Sequence, residues 1–237
     1  MLFLLATLAH ADESTMAYDI FLAGVDVGDR TVKVRFLRRD DGERRVLSVV
    51  TQATSPMGEV TCRQSGQSSG RGASFTTSLQ VGTDRSEVQG IQAPNGGWQL
   101  VRADSTGLHE SVLKASELAF TTLDLFDPGR TRLLGTPGKV GVLVAETGAI
   151  LEGELRVGEA LSVTVAGKTV PGTKYAVEGE GGRAEFVLSA EGVLLRSQIA
   201  VFGGTLETRA KTLPDPRNYG SIDLVDSPGA GTLETDL

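Results

Sequence analysis

Residue types that could carry out acid–base or nucleophilic chemistry are few in this chain. Its two histidines are His10, inside an apolar N-terminal run, and His109, so a hydrolytic site would depend on His109 as its base. Glu110 and Ser111 follow directly, which places a base, an acid and a nucleophile in consecutive positions. Adjacent side chains point to opposite faces of a strand and are about 100° apart on a helix, so these three cannot form a catalytic triad with one another. The sequence predicts no catalytic residues, and we expect a protein that is not an enzyme.

Metal and cofactor chemistry has equally little support. Cys62 is the single cysteine, so it has no disulfide partner within the chain. There is no ligand spacing of the kind that zinc requires and no phosphate-binding fingerprint. Backbone amides of the Gly- and Ser-rich segment 54–73 could form an anion nest, but no helix is expected after it, and we predict a surface hairpin loop there. We expect Cys62 to be structural, and we expect no metal and no cofactor.

The net charge argues against one class of partner. With 30 acidic and 23 basic side chains, the formal charge is −7 and the pI is about 5.0. Binding to a nucleic-acid backbone depends on lysines and arginines that neutralise phosphates. The one basic cluster, at positions 38–45, is interrupted by three acids, so we predict a turn with cross-strand ion pairs there. We expect no nucleic-acid partner.

The first eleven residues have features of a secretory signal. Residues 1–11 are mostly apolar and end in Ala9-His10-Ala11, a small-x-small pattern of the kind that signal peptidase cleaves. Cleavage there would leave a periplasmic or secreted protein that starts at Asp12. Because no Lys or Arg precedes the apolar run, two other interpretations stay open: a start codon upstream of Met1, or an apolar first strand in a chain that is not exported. No other stretch approaches the roughly 20 apolar residues of a membrane-spanning helix, so we expect no transmembrane segment.

Alternation with a period of two dominates the rest of the chain. Val32, Val34 and Phe36 alternate with polar residues, which is typical of a strand with one face in water. Similar short segments continue to Arg209 and are separated by turns that contain glycine. The pattern predicts a single, mainly β domain over residues 12–211, with a curved antiparallel meander or half-barrel sheet.

Two segments depart from this period. Between Ser111 and Phe126, apolar residues recur at steps of three and four, and Asp127-Pro128-Gly129 would end a helix. We expect one helix there that covers a face of the sheet. From Thr212 onward, prolines, glycines and acids replace large apolar residues. Residues 212–237 are therefore predicted to form a disordered acidic tail.

Three segments carry a resemblance to known families. They are residues 18–28, with the pattern Tyr-x-Ile-x-x-x-Gly-x-x-Val-Gly, then Gly172-Thr173-Lys174-Tyr175, and Ser189-Ala190-Glu191-Gly192-Val193-Leu194-Leu195. With them, most of residues 18–210 resembles bacterial secreted β-protein families of unknown function. Those families are similar to the periplasmic lipoprotein-carrier fold, in which a curved antiparallel sheet wraps around a helix and leaves an apolar cavity. The resemblance implies this architecture and no set of catalytic residues.

Two functions are consistent with such a sheet. In the first, the exported protein binds a lipid or another apolar ligand in the concave face of the sheet. The expected lining residues are apolar or aromatic: Tyr18, Ile20, Leu22, Phe36, Trp98 and Phe120. In the second, the protein is a structural or interaction module of the cell envelope that docks a protein partner through a sheet edge or its acidic tail. The sequence alone does not separate the two.

Overall fold

Most of the residues that the structure describes belong to a single sheet of fifteen strands. The computed structural model describes residues 11–39, 42–69, 72–115, 118, 120–131, 137–180, 182–201 and 204–214. The predicted signal peptide up to residue 10 and the predicted tail beyond residue 214 lie outside these residues. The strands are β1 (Ala11–Leu22), β2 (Val25–Arg39), β3 (Gly42–Ser55), β4 (Gly58–Ser69), β5 (Gly72–Val81), β6 (Asp84–Gln92), β7 (Trp98–Asp104), β8 (Gly107–Leu113), β9 (Phe120–Thr121), β10 (Gly138–Val144), β11 (Ala149–Val165), β12 (Lys168–Gly179), β13 (Gly182–Ser189), β14 (Leu194–Val201) and β15 (Gly204–Ala210). A 3-10 helix (Thr122–Phe126) and a short helix α1 (Pro128–Thr131) lie between β9 and β10.

The sheet consists of two meanders that meet at its centre. Its order is β8-β7-β6-β5-β4-β3-β2-β1-β15-β14-β13-β12-β11-β10-β9. β1 and β15 pair antiparallel, with Tyr18 opposite Ala210. The other neighbours are consecutive antiparallel strands, except that β9 runs parallel to β10. As a result, β8 and β9 form the two edges of an open sheet.

Tight turns set the strand register locally. Ala23 and Gly24, between β1 and β2, have φ angles of 51° and 83°, and Ala166 and Gly167, between β11 and β12, have 49° and 76°. Positive φ at both central residues is the signature of the type I′ turn, whose twist matches that of the flanking strands. The pattern of turns that contain glycine also predicts a turn at Val157-Gly158, but these residues lie at a bulge within the single long strand β11.

The sheet curls so that its two halves enclose a buried interior. The turn between β10 and β11 reaches β6, because a Cβ on Gly148 would lie 3.4 Å from Val88 Cγ1. Glu146, in the same turn, lies 3.9 Å from Arg30 of β2. Inward side chains from both halves form one apolar core. The mainly β, curved half-barrel architecture predicted from the period-two pattern is therefore confirmed.

The segment that covers the concave face differs from the continuous helix predicted between Ser111 and Phe126. Ser111 belongs to β8, and the 3-10 helix that lies against the sheet begins at Thr122. We call residues 120–131 the covering segment; it comprises β9, the 3-10 helix and α1. A covering element is thus present, but it is shorter and more irregular than the predicted helix.

Local chemistry explains where this helical turn starts. Thr121 Oγ1 accepts a hydrogen bond from the Asp124 N–H, and Asp124 Oδ2 accepts one from the Thr121 N–H, which is a capping box. Thr121 and Thr122 are also both β-branched, and this lowers their preference for a helix interior. The cap therefore ends the extended chain at Thr121 and begins a new turn.

The Gly- and Ser-rich segment 54–73, predicted to be a hairpin loop, forms β4 instead. β4 pairs along its length with β3 and β5, so its backbone groups are hydrogen-bonded on both sides. The buried residues of β4 are Cys62 and Gln64. Because its inward positions carry few large apolar side chains, the period-two pattern is hidden in the sequence.

Candidate functional site

All six residues predicted to line a ligand site lie on strands, and two of them, Trp98 and Phe120, border cavities beside the covering segment. Tyr18, Phe36, Trp98 and Phe120 belong to the buried core, Ile20 is also buried, and Leu22 is partly exposed. Tyr18 packs edge-on against Phe126 of the covering segment, with ring centroids 5.6 Å apart. The centre of the concave face is therefore filled by packing contacts, and a small cavity lies on either side of it.

The first cavity lies between the covering segment and strands β3, β4, β5 and β7. Its volume is about 30 Å³. Trp98 stands in its wall beside Phe75, with ring centroids 5.6 Å apart, and Leu123 of the covering segment closes it. Arg45 and Asp127 form its polar side.

The second cavity lies on the other side of the covering segment, against strands β10 to β14. Its volume is also about 30 Å³, and Phe120 lies in its wall with its ring centroid 5.9 Å from that of Phe186. The remaining apolar wall is formed by Leu125, Val142, Val144, Leu151, Val177, Ala184 and Ile199. A cavity of this size holds about one water molecule, whereas ligand pockets commonly measure about 300–1,000 Å³. In this conformation, the covering segment occupies the space that a ligand would need.

A buried ion pair holds the covering segment against β3. Arg45 Nη1 lies 3.2 Å from Asp127 Oδ1, and the two side chains are 15% and 7% exposed. The Gly129 N–H donates to the same Oδ1 at 3.0 Å, and the Arg45 guanidinium lies 5.6 Å from the centroid of the Phe36 ring. Burial raises the pKa of Asp127, and the positive charge of Arg45 acts in the opposite direction. This pair explains the glycine at 129, since a Cβ there would lie 1.5 Å from Arg45 Nη1.

A second polar contact joins the covering segment to both halves of the sheet. Thr122 Oγ1 donates to Glu146 Oε2 at 2.8 Å and accepts from the Ala145 N–H at 3.0 Å. Glu146 Oε1 lies 3.9 Å from Arg30 Nη2, and the Arg30 guanidinium lies 5.1 Å from the centroid of the Phe126 ring. Together, these contacts connect β2, the covering segment and the turn between β10 and β11.

Cys62 lies on β4 with its thiol buried and free of disulfide. Burial, reinforced by the carboxylate of Glu146, raises the pKa of this thiol to about 12. The thiolate is the reactive form of cysteine, so this environment disfavours nucleophilic chemistry at neutral pH. Within the described residues, no group of three or more His, Cys, Asp or Glu side chains is placed to hold a metal ion.

His109 lies on β8 and is exposed. Its Nε2 is 2.9 Å from Thr106 Oγ1 and 3.7 Å from Asp104 Oδ1. Asp104 also accepts hydrogen bonds from the Thr106 N–H and hydroxyl and from Arg102, and these bonds hold the pKa of its carboxyl well below the usual range. In a catalytic triad, the acid binds the ring nitrogen opposite the nucleophile, whereas here Asp104 and Thr106 approach the same nitrogen. The cluster is therefore a polar turn in the β7–β8 hairpin.

Sequence reasoning missed the residues that form the interior of the site. The sequence predicts a turn with cross-strand ion pairs around Arg45 and a longer helix that contains Leu123 and Leu125. One local signal was available, because Thr121 and Asp124 have the spacing of a capping box and mark the start of a short helix. The pairing of Arg45 with Asp127 had no comparable signal, since the two residues are 82 positions apart.

No protein-family model matches the chain, and no curated protein matches it. Across the described ranges, none of the helices has the length and apolar character needed to cross a membrane. The geometry of the concave face and its covering segment is therefore the basis for a proposed function.

Proposed function

We propose that the protein is an exported, non-enzymatic carrier that binds an apolar ligand, the acyl chain of a lipid, in the concave face of its sheet. The ligand would occupy the space that the covering segment now fills. The periplasmic lipoprotein-carrier fold, to which the resemblance leads, has an apolar cavity of the kind that this role requires, and this is an analogy of fold.

The observation that carries the proposal is the position of the covering segment between two cavities. Leu123 borders the first cavity, and Phe120 and Leu125 border the second. Because both cavities end at the same segment, its movement away from the sheet would join them into one space. The sheet supplies the apolar side chains that would line this space, including Trp98 and Phe186.

Burial of a lipid acyl chain could offset the free energy needed to displace the covering segment. Four apolar side chains of the covering segment are buried, namely Phe120, Leu123, Leu125 and Phe126. Exposing each one costs about 1.5–3 kcal/mol, so the apolar part of displacing the segment costs about 6–12 kcal/mol. The Arg45–Asp127 pair must be separated in addition. Each buried methylene returns about 0.8 kcal/mol, and about 8–15 methylenes would offset the loss. This length is that of a lipid acyl chain and not of a small metabolite.

The construction of the covering segment also favours exchange. Its strand, β9, has two residues, and its helices are single short turns. Elements with few backbone hydrogen bonds to their surroundings open at lower free energy than the strands of a sheet centre. The segment can therefore leave while the fourteen longer strands keep their pairing.

The first test is chemical identification of a bound molecule. The full-length chain is expressed in a bacterium, and the protein is analysed by native mass spectrometry followed by organic extraction. We expect a mass that begins at Asp12 and a co-purifying lipid. A mass that retains residues 1–11 would contradict export.

The second test probes the cavity directly by titration with a dansyl-labelled fatty acid. Ala184 faces the second cavity on β13, so Ala184→Val adds two carbon atoms there and should weaken binding about tenfold. Ala176 is the matched control, because it directly precedes Val177 of the cavity wall on β12 and so points to the other face of the sheet. We expect Ala176→Val to bind like the wild type.

Two results would contradict the carrier proposal. One is equal affinity of the wild type and both variants, which would place any bound probe outside the cavity. The other is a wild-type protein that neither yields an extractable lipid nor binds the fatty acid. That second result would favour the envelope docking module.

A further inference from the structure

The wall of the first cavity divides its charges between the sheet and the covering segment. Its two acidic residues, Asp124 and Asp127, belong to the covering segment. The sheet side of the wall, as far as the structure describes it, carries one charged side chain, that of Arg45. Departure of the covering segment would therefore remove both carboxylates and leave a positively charged wall.

Arg45 is held by the sheet independently of the covering segment. It lies on β3, which pairs along its length with β2 and β4. Its guanidinium lies 5.6 Å from the centroid of the Phe36 ring on β2, which is a cation–π contact within the sheet. Ser68 of β4 is directly opposite Arg45, so the two side chains are neighbours on the concave face. The guanidinium and a hydroxyl group would thus stay together when the segment leaves.

Departure of the segment would deprive Arg45 of a buried counterion. Asp127 Oδ1 lies 3.2 Å from Arg45 Nη1, and the two side chains are 7% and 15% exposed. An acyl chain in the vacated space would keep water from the guanidinium, as the segment does now. A buried charge that loses its counterion is strongly destabilising. A ligand with its own carboxylate would restore the pair, whereas an uncharged lipid would not.

The second cavity is suited to hydrocarbon. Its charged wall residue, Glu185, already forms ion pairs with Lys174, at 2.9 Å, and with Arg183. Most of the remaining wall is apolar, with Thr122 and Ser197 as its hydroxyl-bearing residues. The concave face therefore offers a cationic end at the first cavity and an apolar end at the second.

We propose that the ligand is a free fatty acid whose carboxylate binds Arg45 in the place that Asp127 now occupies, while its hydrocarbon chain extends towards the second cavity. This inference rests on the carrier function proposed above and adds the class of lipid and its orientation. The carboxylate of a fatty acid is the same group as that of Asp127, so it can accept the same charge-assisted hydrogen bond from the guanidinium. Ser68 is placed to donate a second one.

The test compares a dansyl-labelled fatty acid with the methyl ester of the same molecule, titrated at about pH 8, where a carboxylic acid is ionised. Both probes must displace the covering segment at the same cost, so the ratio of their Kd values isolates the contribution of the carboxylate. We expect the wild type to bind the acid about tenfold more tightly than the ester.

Two variants that break the same ion pair should have different effects on this ratio. Arg45→Met should bring the two Kd values to within about twofold of each other, because the cation is lost. Asp127→Asn should keep at least the wild-type preference for the acid, because the cation stays. Arg45→Lys keeps the positive charge and should retain part of the preference. Arg44→Met is the matched control, because Arg44 directly precedes Arg45 on β3 and so points to the other face.

Circular dichroism checks that each variant is folded, and the wild-type ratio tests the proposal even if Arg45→Met does not fold. Equal affinity of the wild type for acid and ester would overturn this inference and leave the carrier function standing. A preference for the acid that Arg45→Met retains, or that Asp127→Asn or Arg44→Met loses, would also overturn it. Failure of both probes to bind the wild type would contradict the carrier function itself.

Discussion

Replacement of Gly129 by alanine tests the buried ion pair that anchors the covering segment. Gly129 lies in α1, and its φ is not positive, so alanine by itself suits the backbone better than glycine. In an exposed helix interior this change gains up to about 1 kcal/mol. Here the new Cβ would lie 1.5 Å from Arg45 Nη1, so the guanidinium must move away from Asp127.

The expected cost follows from the burial of the pair. Asp127 is 7% exposed, and loss of its partner leaves a carboxylate with little access to water. Breaking a buried pair in this way costs about 3–5 kcal/mol. After the gain in helix propensity, Gly129→Ala should lower the free energy of unfolding by about 2–4 kcal/mol.

Urea unfolding monitored by Trp98 fluorescence measures this change, and a second background isolates its cause. In the double variant Arg45→Met/Asp127→Asn, the charge pair is gone, and Asn still offers an oxygen to the Gly129 N–H. Gly129→Ala should then change stability by no more than about 1 kcal/mol in either direction. Helix propensity alone should change stability by only about 1 kcal/mol, so a loss of more than about 2 kcal/mol in both backgrounds would refute the role assigned to Arg45.

Two further predictions follow from titratable groups. Hydrogen bonds from Arg209 and Arg196 lower the pKa of Glu207. The ionised Glu207 therefore stabilises the folded protein above the ordinary glutamate pKa, and this stabilisation is lost as the pH falls through the lowered pKa. Unfolding midpoints measured between about pH 7 and about pH 3 should fall less steeply for Glu207→Gln than for the wild type, while Glu59→Gln should match the wild type. Because burial raises the pKa of Cys62 to about 12, Ellman's reagent should label this thiol slowly in the native protein and rapidly in urea. Equal labelling rates in the two conditions would show that Cys62 is accessible.

Local patterns were enough for most of the strands and for the class of fold. Alternation such as that of Val32, Val34 and Phe36 depends only on the two-residue period of a strand, so it can be recognised without knowledge of neighbouring strands. Turn residues act within a few positions as well, as at Ala23-Gly24. Export and ligand binding were also inferred at this level, and they stay predictions.

Tertiary structure decided the features that depend on distant partners. β4 is a strand because β3 and β5 pair with it, although its Gly- and Ser-rich sequence is typical of a loop. Of the six predicted lining residues, Trp98 and Phe120 border cavities and Tyr18 does not, since the position of the covering segment determines what space is left. The sequence alone determined an alternating, one-sided sheet. Only the curling of that sheet brought Arg45 to Asp127 and Arg30 to Glu146, because such contacts are specified by the packing of the whole chain and by no local spacing.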